Sequence, residues 1–115
     1  MIRYLLLLVV LFTPLAQAAD VNLLIDIMEC ESGGYHYTKK GRINAGDDGV
    51  SVGIAQFQRV TFEELKRKAH HPEWKWRNPI HQMRLLNWAV DHGYGHLWTC
   101  YRKLRDAQQT AGTGN

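Results

Sequence analysis

Beyond its first 18 residues the chain has no second long hydrophobic run, no internal repeat and only two cysteines. The missing run excludes a multi-span membrane protein, because a spanning helix needs about 18 or more apolar residues in succession. The missing repeat excludes a solenoid or other array. Neither Cys30 nor Cys100 has His or Cys partners at finger-like spacing, so a structural zinc site is not expected, and no other metal or cofactor is. Net charge is small as well, at a formal +3. A surplus this slight and spread out does not describe a nucleic-acid binder, which needs a clustered basic face, although it suits an acidic polymer.

Residues 1–18 have the pattern of a secretory signal. Arg3 supplies the positive start, Leu5 to Phe12 the apolar run, and Ala16-Gln17-Ala18 the small-residue cleavage site. No cysteine follows the run directly, so a lipid anchor is not supported. Cleavage after Ala18 is expected to release a periplasmic or extracellular chain of 97 residues from the full 115, with no integral membrane segment. That length suits one small domain with a modest core. An even cysteine count in an oxidising compartment favours a disulfide over two free buried thiols. Closing a loop of about 70 residues contributes up to about 4 kcal/mol in the chain-entropy model.

Helical periodicity starts just after the signal. Val21, Leu24, Ile25 and Met28 recur at i, i+3, i+4 and i+7, which reads as the apolar stripe of a first helix. Tyr35 to Ser51 is polar and rich in Gly and Asp, and reads as loops with a short hairpin. Thr61-Phe62-Glu63-Glu64 has capping-box spacing and opens a second helix over about 61–70, with Phe62, Leu65 and Ala69 inward. Asn78-Pro79 offers a cap and a first-turn proline for a third helix whose stripe is Ile80, Met83, Leu86 and Val90, ending at Gly93. A short last helix over Gly95–Arg105 and a loose tail over 106–115 complete a mainly α domain spanning 19–105, with an irregular or slightly β insert after the first helix.

Among the acids, Glu31 stands out. It lies nearest the first helix's stripe, whereas Asp26 faces nearly opposite, and Gly33 and Gly34 follow it. These glycines permit the left-handed backbone that ends a helix and let a ligand approach closely. A carboxyl partly withdrawn from water keeps its proton to higher pH, since desolvation disfavours the anion, and such a group can act as a general acid. The plainer reading is a helix-terminal glutamate that accepts a backbone hydrogen bond.

Two further motifs follow Glu31: Ser51-Val52-Gly53-Ile54-Ala55-Gln56-Phe57, and Gly93-Tyr94-Gly95-His96-Leu97-Trp98-Thr99-Cys100. With Cys30-Glu31-Ser32-Gly33-Gly34 they resemble, in this order, the lysozyme-like glycan-cleaving superfamily. Lytic transglycosylases carry Glu-Ser-Gly and then Ser-x-Gly-Leu-x-Gln. Resuscitation-promoting factors are similar in Cys-Glu-Ser-Gly-Gly, Gly-Leu-Gln-Phe, a Thr-Trp pair (here Thr61-Phe62) and Gly-Trp-Gly-x-Trp-x-x-Cys. The match covers about residues 25–104. It implies a small α+β lysozyme-like fold and cleavage of peptidoglycan glycan strands with Glu31 as sole acid and base. It also implies substrate contacts from Thr61, Gln82 and Gln56, a place for Ser51 at the substrate, and a Cys30–Cys100 bridge.

Other readings of these residues remain open at this point. Thr61 also fits a helix cap, Gln56 a turn brace and Gln82 a solvated helix face. Tyr94 and Trp98 read as core aromatics. Trp74 and Trp76 fit either sugar stacking or edge packing. The six histidines form no usable pattern. Ser51 stands where animal-type lysozymes have an aspartate, and Asp91 stands where many transglycosylases have an asparagine. Asp47 and Asp48, nearby, are explained by turn formation.

The resulting expectation is a secreted lytic transglycosylase acting between N-acetylmuramic acid and N-acetylglucosamine. The alternatives are a muramidase hydrolysing the same bond and a non-catalytic wall-binding module. The partner is the glycan strand rather than nucleic acid, the chain is a monomer, and the absence of a wall-anchoring domain suggests a local helper or delivery by a protein partner.

Overall fold

A computed structural model describes residues 20–113, so the signal expected over 1–18 lies outside the described residues. Four α-helices and a three-stranded antiparallel sheet make up this part. Helix α1 (Val21–Ser32) leads through a hairpin and the sheet, β1 (Ala45–Gly46), β2 (Ser51–Val52) and β3 (Phe57–Gln58), to α2 (Arg59–Lys68), α3 (Pro79–Asp91) and α4 (Thr99–Thr113). The sheet runs in the order β1-β2-β3, with Gly46 opposite Ser51 and Val52 opposite Phe57. No helix among the described residues is long and apolar enough to cross a membrane.

Asp20 caps α1, its Oδ1 accepting the Asn22 N–H at 3.0 Å. The stripe read from sequence is rotated from the face the helix buries. Val21 and Ile25 are exposed, Ile27 is sealed, and Leu23, Leu24 and Met28 pack beside it. At about 100° per residue, Glu31 lies within roughly 10° of the middle of that true face. The acid therefore faces inward more squarely than the sequence stripe implied.

Helix α3 shows the same rotation. Asn78 caps it through the His81 N–H at 3.0 Å and Pro79 opens its first turn, as expected. Its buried face, however, is Gln82, Leu85, Leu86 and Ala89, while Ile80 is exposed.

Helix α2 begins at Arg59, so Thr61 lies inside the first turn and is not its cap. Phe62, Leu65 and Ala69 do face inward, and Phe57 meets Phe62 and Trp98 edge to face at 5.2 and 5.0 Å. Helix α4 continues to Thr113 where a tail was expected from 106. Its later turns contain Ala107, Gln108, Gln109 and Ala111, residues with good intrinsic helix propensity that need no core beneath them.

A disulfide joins Cys30 to Cys100, with Cα atoms 5.9 Å apart. It fastens the end of α1 to the first turn of α4. Trp74 is buried and stacks on His71 with ring centroids 4.0 Å apart, and Trp76 donates its indole N–H to the Phe57 carbonyl at 2.8 Å. Trp74 is thus packed into the edge of the core, whereas the half-buried Trp76 also lines a surface depression beside Arg59 and Arg77. The His71 hydrogen bond to Glu73, at 2.8 Å, holds that exposed carboxyl below its usual range.

Candidate active site

Glu31 is the penultimate residue of α1. The helix stops because Gly33 takes a left-handed conformation, φ +74°, with the Gly33 and Gly34 N–H groups closing onto the Glu29 and Met28 carbonyls. The half-buried carboxyl reaches across to α4, where Oε1 accepts the Cys100 N–H at 3.2 Å. Cys100 is also the disulfide partner of the residue before Glu31. One covalent bond and one hydrogen bond therefore set the same joint.

Opposite Glu31 stands the turn that links β2 to β3. Ala55 is buried in the core, and side chains from several elements hold residues 53–56 around it. Ile54 donates its N–H to His36 Nδ1 at 3.0 Å, and its carbonyl lies 2.7 Å from Ser32 Oγ. Ala55 donates to Gln82 Oε1 at 3.1 Å and accepts from the Trp98 indole at 2.8 Å. Because His36 Nδ1 accepts, its proton sits on Nε2, which donates to the Arg77 carbonyl at 2.7 Å.

Gln82 is fully buried, and its amide also donates to the Val52 and Trp76 carbonyls at 3.0 and 2.8 Å. It touches neither solvent nor the cleft, so the substrate contact that the resemblance implied and the solvated helix face are both replaced by a role behind the wall. A Cβ at Gly53 would fall 2.5 Å from this amide, and φ there is +84°, so only glycine fits. Gln82→Leu is expected to strand three buried backbone groups and lower stability by about 2–4 kcal/mol, read from urea unfolding. A loss under about 0.5 kcal/mol would show that water replaces the amide.

Between the Glu31 joint and this turn lies a cleft of about 330 Å³ lined by Glu31, Asp47, Ser51, Gln56, Phe57, Gln58, Thr61, Leu97, Trp98 and Thr99. It brings together four of the five residues implied for catalysis or binding; Gln82 is the exception. Ser51 is buried and donates to Asp47 Oδ2 at 2.8 Å. Gln56, at φ +50°, spends its amide N–H groups on the Asn44 and Gly53 carbonyls, at 3.2 and 2.9 Å. A Cβ at Gly46 would meet its Oε1 at 2.6 Å, so the glycine makes room for it. The turn brace read for Gln56 therefore holds, on the wall of the cleft. Thr61 faces the cleft from α2, and Trp98 lies buried at its base.

Sequence reasoning missed Leu97, Thr99, Asn44 and His36. His36 sits in a polar stretch with no apolar periodicity, and only the alternation Tyr35-His36-Tyr37 hinted that one of the three points inward. Asp47 and Asp48 both hold positive φ, at +51° and +57°, as a turn reading requires, yet Asp47 also reaches the cleft. A larger depression of about 890 Å³ on the outer face of α2, lined by Arg59, Val60, Glu63 and Arg67 among others, does not include Glu31. Among the described residues, no group of three or more His, Cys, Asp or Glu is placed to hold a metal ion.

Comparison with family models, with curated proteins and with solved structures gives no match to this chain.

Proposed function

We propose that the chain is a lysozyme-like glycosidase that cleaves peptidoglycan between N-acetylmuramic acid and N-acetylglucosamine as a lytic transglycosylase. The observation that supports this is the half-buried Glu31 carboxyl, oriented by the Cys100 N–H at one side of a cleft whose remaining lining, Asp47 apart, is hydroxyl, amide and apolar. Such a lining suits sugar, which offers hydroxyls and acetamido groups in place of charge.

In the proposed reaction, protonated Glu31 gives its proton to the glycosidic oxygen while the muramic acetamido carbonyl attacks the anomeric carbon. The bond to the leaving oxygen breaks, and its electrons remain on the departing 4-hydroxyl. Glu31, now a carboxylate, takes the proton of the muramic 6-hydroxyl, whose oxygen displaces the acetamido group and closes a 1,6-anhydro ring. Hydrogen bonding to Cys100 through Oε1 sets the carboxyl's orientation. Among the described residues Oε2 has no hydrogen-bond partner, which suits the atom that transfers the proton. Purified sacculi incubated with the chain are expected to release soluble muropeptides with anhydro ends in the mass spectrum. No release overturns the reading.

Asp47 favours a second outcome, hydrolysis. It is a carboxyl in the same cleft, steadied by Ser51, and a second carboxylate can direct water to the anomeric carbon. If it does so, reducing ends replace anhydro ends, and Asp47→Asn lowers release by roughly a hundredfold. If anhydro ends dominate, Asp47→Asn is expected to change release by less than about threefold.

A further inference from the structure

The stretch from Gly33 to Gly46 contains no acidic residue and places Lys39, Lys40 and Arg42 within four positions. It folds as a hairpin. Tyr37 bridges Ile43, the Thr38 N–H donates to the Arg42 carbonyl at 2.7 Å, and the Gly41 N–H closes the turn on the Thr38 carbonyl at 2.9 Å. All three cations are exposed, and among the described residues none takes part in an ion pair. Crowding like charges on one turn costs some stability, and an anionic partner relieves that cost.

Alternation along the first strand turns His36 inward and leaves Tyr35 and Tyr37 outward, 69% and 52% exposed. The hairpin is also anchored to the cleft wall. His36 binds Ile54 and Arg77, and the Asn44 side chain donates to the Ser32 carbonyl, one residue from Glu31, at 2.9 Å. The cleft lining, by contrast, contains no Lys, Arg or His. The cationic side chains therefore sit outside the pocket, on a hairpin hydrogen-bonded to its wall.

We infer that the Tyr35–Arg42 hairpin is an anchoring surface for anionic groups carried by the glycan that occupies the cleft. Lys39, Lys40 and Arg42 meet the charge, and Tyr35 and Tyr37 offer faces for sugar. The inference rests on the proposed reading that the cleft receives a wall glycan. Wall anions have two sources, the carboxylates of peptide stems and the phosphodiesters of attached polymers, and the hairpin suits the chemistry they share.

The test is co-sedimentation of the full chain, carrying Glu31→Gln so that nothing is cleaved, with purified sacculi at low and high salt. The triple variant Lys39→Ala, Lys40→Ala, Arg42→Ala is expected to bind about tenfold more weakly and to lose most of the salt dependence, with an unchanged circular dichroism spectrum. Loss of hairpin-dependent binding to sacculi freed of phosphodiester polymers assigns the phosphates. Loss on sacculi stripped of peptide stems assigns the carboxylates. Hairpin-dependent binding that survives both treatments overturns the inference, as does equal binding by the triple variant, or tighter binding to duplex DNA or anionic vesicles than to sacculi. Because binding is read without cleavage, failure of the enzymatic reading leaves this readout intact. A parent chain that releases fragments while the triple variant binds normally fails the hairpin alone.

Discussion

Exchanging Glu31 for Gln is expected to lower fragment release from purified sacculi by about a thousandfold or more while leaving the thermal midpoint within a few degrees of the parent. The reason is geometric. Gln has nearly the same shape, and its carbonyl oxygen can still accept the Cys100 N–H that now binds Oε1. The α1–α4 joint therefore survives, and only the transferable proton is lost. Muropeptide release followed over time, with melting curves of both proteins, separates the two effects. Release at the parental rate would sink the proposed reaction, and a collapsed midpoint would show that the carboxyl holds the fold together. A parent that itself releases nothing would point to a binding module.

The second large effect concerns the sulfurs. Replacing Cys30 and Cys100 with Ser, or reducing the bridge, is expected to lower stability by about 2–5 kcal/mol, since a loop with a sequence separation of 70 is opened. For a domain of this size, each kcal/mol shifts the midpoint by roughly 4–8 °C, so a drop of at least about 8 °C should appear in melting curves with and without reductant. Activity should fall as well, even well below the new midpoint. The donor that orients Glu31 is the backbone N–H of Cys100 itself, so slack at the bridge is slack at the carboxyl. An unchanged midpoint would show that the packing of α1 on α4 carries the joint unaided.

Much of this architecture was legible in the residues. The first-turn proline and cap at Asn78-Pro79, the inward Phe62, Leu65 and Ala69, the glycine stop after Glu31 and the pairing of the two cysteines each have a physical cause that the residues themselves display. What misled was polarity. In α1 and α3 the residues at the centre of the buried face are Glu31 and Gln82, and a pattern that seeks apolar stripes rotates away from them. Val21, Ile25 and Ile80 were drawn into stripes they do not share. Gln82 is buried because three backbone groups of other elements need its amide, and no periodicity contains that information.

The cap reading of Thr61 failed for a different, local reason, although the residue does line the cleft. Its capping box was locally sound, but β3 hands the chain to α2 two residues earlier, at Arg59. The cleft followed from the motifs as a set of residues and not as a shape. Asp47, whose turn role is real, reaches the cleft only because β1 and β2 pair Gly46 with Ser51.

The turn from Gly53 to Gln56 is moored by side chains from α1, the hairpin, α3 and the segment before α4. Opening that bank of the cleft would break hydrogen bonds to four separate parts of the chain at once. On the proposed reading, a glycan entering there would meet a preset mould, and most of the flexing needed for a fit would fall to the glycan.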